Sequence, residues 1–230
     1  MSREGSLDLL TEAKENIDLL KTSQDIKPVK VKSILEHLRS ALEYLANDTF
    51  DKYHPNFKGK RPKIYFPFGT QSFVDSFFSD RLRLKPVSSS PLYALFNSIQ
   101  SYQTNENWLD IMCSLTNEAK HRNPIPFEKE EIITGKTISA LGYNLFKVDD
   151  KSKVTVKNLT ISGNKVSDFE LDRGVLKSEE NGIPINFTLT KENKIKFHGN
   201  EYEVIPFLEE CHGKLHKFIN DSYNVLDALP

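Results

Sequence analysis

The residue types best suited to chemistry are concentrated in residues 115–124 of the chain. Asn117 and His121 stand four positions apart there, so on a helix they share one face. An imidazole titrates near neutrality and can act as general acid or base, and a neighbouring amide can orient it or bind a phosphate oxygen. Arg122 and Lys120 add positive charge beside them. The spacing predicts a site for acid–base chemistry on an anionic substrate.

The same cluster also has a purely structural interpretation. Lysine, histidine and arginine in the last turn of a helix interact favourably with the negative end of its dipole. Pro124 disfavours helix at the residue before it, so the helix is predicted to end by Asn123. Spacing alone favours this structural interpretation, and a functional site needs support from elsewhere in the chain.

Arg39 and Glu43 form part of a charged row in the strongest helical pattern of the chain. In one interpretation the row is an exposed face of ion pairs, each worth about 0.3 kcal/mol. In the other, Arg39 binds phosphate in the cleft that holds His121, and Glu43 supports it. Both interpretations are compatible with the sequence.

A basic and aromatic segment, residues 51–90, carries a local net charge of +5 in a chain whose net charge is −1. Lys60, Arg61 and Lys63 precede several aromatic residues, among them Tyr65. Cations bind phosphate and aromatic rings stack on unpaired bases, which predicts binding of single-stranded RNA. The alternative is a long surface loop that its aromatic side chains anchor to the core.

Metal binding receives little support. His212 and His216 are one helical turn apart, but a zinc site needs a third or fourth ligand, and none stands at a suitable spacing. A metal centre built from these two residues and His121 is the weakest hypothesis, and we expect no metal and no cofactor. The two cysteines, Cys113 and Cys211, are expected to be reduced core residues.

The elements that must position these residues are helical up to about residue 128. The first helix is predicted over 6–21 with Ser6 as its cap, the second over about 29–50 after Pro28, and a short one over 71–82. Ser90 and Pro91 begin another helix, and Asn105 is expected to cap the one that ends by Asn123.

From about Glu130 the apolar period changes from 3.6 to 2. Strands are predicted over 137–148, 153–161, 166–171, 185–190, 194–198 and 201–204, with turns at 162–164, 192–193 and 199–200. A last helix follows over about 206–226. The fold class is therefore α+β: a bundle of four to five helices with an antiparallel β-meander inserted before the last helix. The expected division is a helical bundle over 1–128, a β segment over 129–204, and a helix over 205–230 that returns to the bundle.

Composition and charge narrow the possible cellular locations and binding partners of the protein. The N-terminus has no apolar signal region, and no run approaches the roughly 20 apolar residues that span a bilayer. We therefore expect a cytoplasmic protein without a membrane partner. The net charge gives no overall attraction to nucleic acid, so any such attraction must come from a local patch.

A family resemblance rests on two of these motifs. The helix with Leu38-Arg39-Ser40-Ala41-Leu42, followed by Leu115-x-Asn117-x-x-Lys120-His121-Arg122 at a helix end, resembles a group of bacterial proteins of unknown function that carry the same signatures. More distantly, it is similar to the HEPN superfamily. HEPN proteins are helical bundles, typically dimeric, and many are metal-independent RNases in toxin–antitoxin, phage-defence and RNA-processing systems.

The resemblance implies roles for individual residues. His121 matches the motif histidine and Asn117 the polar residue that often follows the motif arginine, whereas Thr116 stands where that arginine would be. Positive charge would then come from Arg122, Lys120 or Arg39.

Two hypotheses follow from the resemblance. One is a noncatalytic or weakly active interaction and RNA-binding module, a homodimer in a defence or toxin-type system, with a protein partner on its β segment. The other is a metal-independent RNase in which His121 is the acid and base. The departure at Thr116 favours the first.

Overall fold

The chain folds into two compact units, one formed by residues 1–127 with 197–230 and the other by residues 128–196. The computed structural model describes residues 3–23, 25–121, 125–149, 151–173 and 175–230, except for the side chains of residues 120, 121, 132, 133, 178 and 191–193. The fold is mixed α/β, with a helical bundle and a β segment that precedes the last helix.

The first unit is helical. Its described helices are α1 (Arg3–Thr22), α2 (Pro28–Tyr53), α3 (Gln71–Ser76), α4 (Pro91–Ser98), α5 (Ser101–Thr104), α6 (Trp108–His121) and α7 (Val204–Ala228). A π-helical turn, Phe77–Arg81, continues α3, and a 3₁₀ turn, Val87–Ser89, precedes α4. Helices α1, α2 and α7 pack against one another, and α6 packs against α2 and α7.

The long helix α2 forms as its pattern predicts. Pro28 occupies its first turn, where a missing backbone N–H costs nothing. The predicted apolar stripe is buried along its whole length, from Val31 to Leu45. The predicted start of α4 is confirmed as well, because the Ser90 hydroxyl accepts a hydrogen bond from the backbone N–H of Leu92.

Two predicted helix caps are wrong. Ser6 lies inside α1, is fully buried, and points its hydroxyl at Tyr223 of α7 (2.9 Å). Asn105 does not cap α6; it ends α5 in a left-handed conformation with φ of 58°. The first α-helical hydrogen bond of α6 runs from Ile111 to the carbonyl of Asn107, which places the cap two residues later than predicted.

The second unit is a β structure. Its described strands are β1 (Phe127–Ala140), β2 (Tyr143–Val148), β3 (Lys153–Val156), β4 (Thr160–Ile161), β5 (Asn164–Lys165), β6 (Asp168–Asp172), β7 (Val175–Glu180) and β8 (Asn186–Phe197). They form the sheets β2-β1-β8, β3-β6-β7 and β4-β5. The core of this unit is apolar and includes Ile138, Phe169 and Leu171.

The strand order departs from the predicted meander. The first and last strands, β1 and β8, are neighbours, and β3 pairs with β6 across the small β4-β5 hairpin. Strand β8 continues through the turn predicted at 192–193, and 201–204 is not a strand because α7 begins at Val204. Strand β7 was not predicted: its residues are mostly exposed, so it lacks the alternating apolar signal of a buried strand.

Gly182 shows how closely the backbone packs in the second unit. A Cβ atom at this position would lie 2.5 Å from the backbone nitrogen of Ser167 and 2.6 Å from the carbonyl carbon of Val166. Only glycine allows the two chain segments to approach so closely.

None of the described helices is long and apolar enough to cross a bilayer.

Candidate functional site

An extended segment, residues 61–68, runs along α2 and is held by polar side chains of that helix. Arg39 and Glu43 form an ion pair with a Nη2–Oε1 distance of 2.6 Å. Glu43 Oε2 accepts the backbone N–H of Phe66 (2.8 Å), and Arg39 Nη2 donates to the carbonyl of the same residue (3.4 Å). The pair therefore holds both backbone groups of Phe66.

The same polar stripe continues along α2 at four-residue intervals. Asn47 donates to the carbonyl of Ile64 (3.5 Å) and accepts from Arg61 (3.1 Å). Arg61 also pairs with Asp51 at 3.0 Å. Successive turns of α2 thus hold successive parts of the extended segment. Arg61, predicted to bind phosphate, is paired here and is not among the residues that line the cleft below.

Arg39 is buried, so the exposed charged face considered for it is wrong; its side chain is 9% exposed. Its guanidinium donates to the Cys113 sulfur on α6 and lies over the Phe68 ring, 4.7 Å from the centroid. Burial raises the pKa of the Cys113 thiol to about 12, an effect that Arg39 opposes. The sulfur is therefore a neutral acceptor at physiological pH, and Arg39 links α2, α6 and the extended segment.

A cleft of about 680 Å³ opens beside Arg39. It lies entirely within the helical unit, and its walls come from the extended segment, α3 with its π-helical turn, α2 and α6. Among the described residues, its lining combines five aromatic side chains, three cationic ones, one carboxylate and one amide: Tyr65, Phe66, Phe68, Phe73 and Phe77; Arg39, Lys63 and Arg81; Asp110; and Asn117.

The aromatic residues of the cleft divide into a floor and a rim. Phe66 and Phe77 are buried and stack against Phe96 of α4, with ring centroids 4.8 and 5.5 Å away, so they form a rigid floor. Tyr65 and Phe73 stand at the rim with exposed fractions of 61% and 60%. Two large rings left in solvent at one cleft are typical of a binding surface rather than of a folding core.

Two of the three cations are solvent-exposed. Residues 63–66 alternate between exposed and buried, which turns Lys63 and Tyr65 towards solvent while their neighbours enter the core. Lys63 has no ion-pair partner within the described part of the chain. Arg81 ends the π-helical turn, a distortion that often marks functional sites. Its carbonyl accepts a hydrogen bond from His54 (2.9 Å), which fixes the end of the turn.

Asp110, in the first turn of α6, supplies the single carboxylate of the cleft lining. Its Oδ2 accepts from the Ser101 hydroxyl at 2.5 Å. Its Oδ1 is buried and accepts no hydrogen bond from the residues that the structure describes. An unsatisfied buried acceptor costs about 1–3 kcal/mol, so this oxygen needs an explanation.

The structure brings some of the predicted site residues together. Asn117 is exposed and lines the cleft with Arg39 and Lys63. His121 is the last residue of α6, one turn beyond Asn117, and the side chains of His121 and Lys120 lie outside the described residues. Arg122 lies outside them as well.

The resemblance to HEPN proteins would place an arginine at the position of Thr116. It is fully buried, and its hydroxyl donates to the carbonyl of Met112 (2.7 Å). This position is buried, whereas the next residue, Asn117, is exposed and lines the cleft. The arginine of the cleft comes from α2 instead, as Arg39.

Lys60 is exposed, and it is not among the residues that line the cleft. The predicted histidine pair on α7 stacks with ring centroids 5.9 Å apart, and the Nε2–H of His212 donates to the carbonyl of Leu10 (3.1 Å). Within the described ranges, no three His, Cys, Asp or Glu side chains come together in a way that could hold a metal ion.

No protein-family model, curated protein or solved structure matches this chain. The proposed function therefore rests on the geometry of the cleft.

The cleft residues that the sequence did not single out as site residues include Phe73, Arg81 and Asp110. For Asp110 a signal was present, because it precedes Asn117 by seven residues and so shares a helix face with it. Phe73 belongs to the short helix predicted over 71–82, and α3 turns its ring outward into solvent.

Proposed function

We propose that the cleft binds single-stranded RNA. The observation that carries this proposal is the placement of two exposed aromatic rings, Tyr65 and Phe73, beside the exposed cations Lys63 and Arg81 in one cleft. Rings stack on unpaired bases of any sequence, and cations beside them bind the backbone phosphates. Paired bases cannot offer their faces to such rings, so single strands are the preferred ligand.

The rigidity of the cleft supports the same function. The floor is packed on α4, and the Arg39–Glu43 pair fixes the segment that carries Lys63 and Tyr65. A preformed surface loses little entropy on binding. Arg39 is a positioning residue in this account, because its guanidinium is already shared between Glu43, Cys113 and the backbone of Phe66.

The direct test is a titration of a fluorescein-labelled uridine octamer with the full-length chain, followed by fluorescence anisotropy between about 50 and 200 mM salt. We expect saturable binding that weakens with salt, and weaker binding of a duplex of the same length. Lys63→Ala should reduce the slope of log Kd against log salt by about 0.7.

Lys30→Ala is the matched control for this charge change, because Lys30 is an exposed lysine in the first turn of α2 and does not line the cleft. Its slope should equal that of the wild type. Absence of saturable binding, or equal slopes for the two lysine variants, would exclude the cleft as an RNA site.

A second candidate function is favoured by the position of Asn117 in the same cleft as a buried arginine. The resemblance to HEPN proteins then suggests a metal-independent RNase. His121 would take the proton of a ribose 2′-hydroxyl as this oxygen bonds to the adjacent phosphorus. As the bond between phosphorus and the 5′-oxygen breaks, the protonated His121 would return the proton to that oxygen, which leaves a 2′,3′-cyclic phosphate and a 5′-hydroxyl. A homodimeric state, a partner on the β segment and a role in bacterial defence remain predictions of the same resemblance.

Cleavage of total cellular RNA in EDTA separates the two functions. If the chain is an RNase, the wild type cleaves and His121→Ala does not, while RNA binding by the variant persists. Equal cleavage by both proteins would contradict this mechanism. Binding without cleavage by either protein would leave the noncatalytic binding function.

A further inference from the structure

We propose that the cleft selects guanine among the bases of single-stranded RNA through the carboxylate of Asp110. This inference rests on the proposed RNA binding and names the base that the cleft recognises. It starts from the buried Oδ1 atom, which accepts no hydrogen bond from the described part of the chain although it belongs to a cleft residue.

Gly69 shows where the base would lie. The position of a Cβ atom on Gly69 is 3.9 Å from Asp110 Oδ1 and 3.9 Å from the Cδ2 atom of Phe73. The carboxylate and the edge of an exposed ring therefore adjoin the same small space, which glycine leaves free. Oδ1 is buried, so for a base edge to reach it the Phe73 ring would have to shift as the base stacks on it.

The surroundings of this space are fixed by buried hydrogen bonds. The backbone N–H of Gly69 donates to Gln100 Oε1 (3.3 Å). Gln100 is fully buried and donates to the carbonyls of Pro67 (3.1 Å) and Phe96 (3.0 Å). Ser101 holds the other carboxylate oxygen. The acceptor is thus presented by a rigid frame, as selective recognition requires.

Guanine has the base edge that matches a carboxylate. Its N1–H and its 2-amino group are adjacent donors, whereas adenine and cytosine place an unprotonated ring nitrogen beside their amino group, and uracil flanks one N–H with two carbonyls. The acceptor atoms of those three bases repel a carboxylate. A hydrogen bond from guanine to a charged carboxylate is stronger than one to a neutral acceptor. Unpaired RNA bases are read on this edge.

A role in the helix does not account for the free oxygen. An acidic residue in the first turn of a helix stabilises the dipole and can anchor a neighbouring hydroxyl. Oδ2 already does this through Ser101. If Asp110 had only a structural role, its replacement would leave the ratio of affinities for different bases unchanged. This ratio therefore distinguishes a structural role from base recognition.

The test uses uridine octamers in which one central base is guanine, adenine, cytosine or hypoxanthine, titrated by anisotropy against the full-length chain. We expect guanine to tighten binding roughly 10-fold over the all-uridine octamer and adenine and cytosine to give no gain. Hypoxanthine, which keeps N1–H and lacks the 2-amino group, should lose most of the gain. This series needs no protein variant.

Asp110→Asn should bring the ratio of guanine to uridine affinity close to one, after thermal denaturation has shown that the variant folds. Equal affinity of the wild type for all octamers would overturn guanine selection while leaving RNA binding intact. An Asp110→Asn protein with the wild-type ratio would also overturn it. Absence of binding to every octamer would remove the proposed function itself and this inference with it.

Discussion

Arg39 and Glu43, one turn apart on α2, form an ion pair at 2.6 Å and hold opposite backbone groups of the same residue, Phe66. Because Phe66 is also part of the cleft floor, the ion pair connects the stability of the bundle with the shape of the site. Its loss should therefore affect folding and binding together.

Replacement of Arg39 by alanine should lower the free energy of unfolding by about 2–3 kcal/mol, because it leaves Glu43 without its buried partner and the Phe66 carbonyl without a donor. Urea denaturation of the two proteins measures the loss. Glu43→Gln with and without Arg39→Ala completes a double-mutant cycle. A decrease in the free energy of unfolding below about 0.5 kcal/mol would show that water can replace the Arg39–Glu43 ion pair at little cost.

A second network links α1, α2 and α7. The Tyr223 hydroxyl donates to Asp48 (2.7 Å), and the buried Ser6 hydroxyl donates to Tyr223 in turn (2.9 Å). Tyr223→Phe should lower the free energy of unfolding by about 1.5–3 kcal/mol, because it removes the hydrogen bond to the Asp48 carboxylate and leaves the Ser6 hydroxyl with only the carbonyl of Ala41 (3.3 Å) as acceptor among the described residues. Tyr44→Phe, at an exposed position of α2, is the control and should be neutral. Equal losses of unfolding free energy for Tyr223→Phe and Tyr44→Phe would contradict a stabilising role for this hydrogen-bond network.

The pH dependence of stability should report on His212. Burial lowers the pKa of its imidazole, and the charges of His216 and Lys14 act in the same direction, against the carbonyl of Leu10 and the carboxylate of Asp18. The unfolded chain therefore binds the proton more tightly than the folded one. Stability from this residue is complete above the unfolded pKa of about 6.5 and decreases as pH falls below it.

Melting temperatures between about pH 8 and pH 5 measure this effect. Replacement of His212 by glutamine, which retains an N–H donor, should flatten the acidic side of the profile. The same change at the exposed His216 should leave most of the slope in place. A wild-type melting temperature that rises on acidification through this range would contradict a lowered pKa for His212.

The two rim aromatics should contribute to RNA affinity through stacking. Tyr65→Ala and Phe73→Ala should each weaken binding of the uridine octamer by roughly 5-fold to 100-fold, since a stacked base is worth about 1–3 kcal/mol. Tyr44→Ala removes an aromatic ring that is 47% exposed and lies outside the cleft, and it should leave affinity unchanged. Equal losses in all three variants would indicate a general effect of aromatic content, not a site.

Sequence reasoning found the helices because their signals are local. The apolar stripe of α2, Pro28 in its first turn and the Ser90 cap each depend on residues a few positions apart. The cap predicted at Ser6 was wrong for a related reason: its hydroxyl is used by Tyr223, more than 200 residues away in the chain, and no local pattern contains that contact.

The β segment shows more clearly what local sequence patterns fail to predict. Polar residues at 192–193 favour a turn locally, but β8 pairs beside the long strand β1, and this pairing keeps the strand extended. Strand β7 was not predicted because few of its residues are buried. For the candidate site, the sequence proposed Arg39, Lys63 and Asn117, yet it could not show that the three line one cleft, because they lie on different elements.

The most direct measurement is photocrosslinking of the full-length chain to an octamer that contains 4-thiouridine, with the modified residue identified by mass spectrometry of the digested protein. The account predicts a crosslink within residues 63–81, at Tyr65 or Phe73, that disappears when unlabelled uridine octamer competes. A crosslink confined to residues 128–196, or one that competitor does not remove, would contradict the proposal that this cleft binds single-stranded RNA.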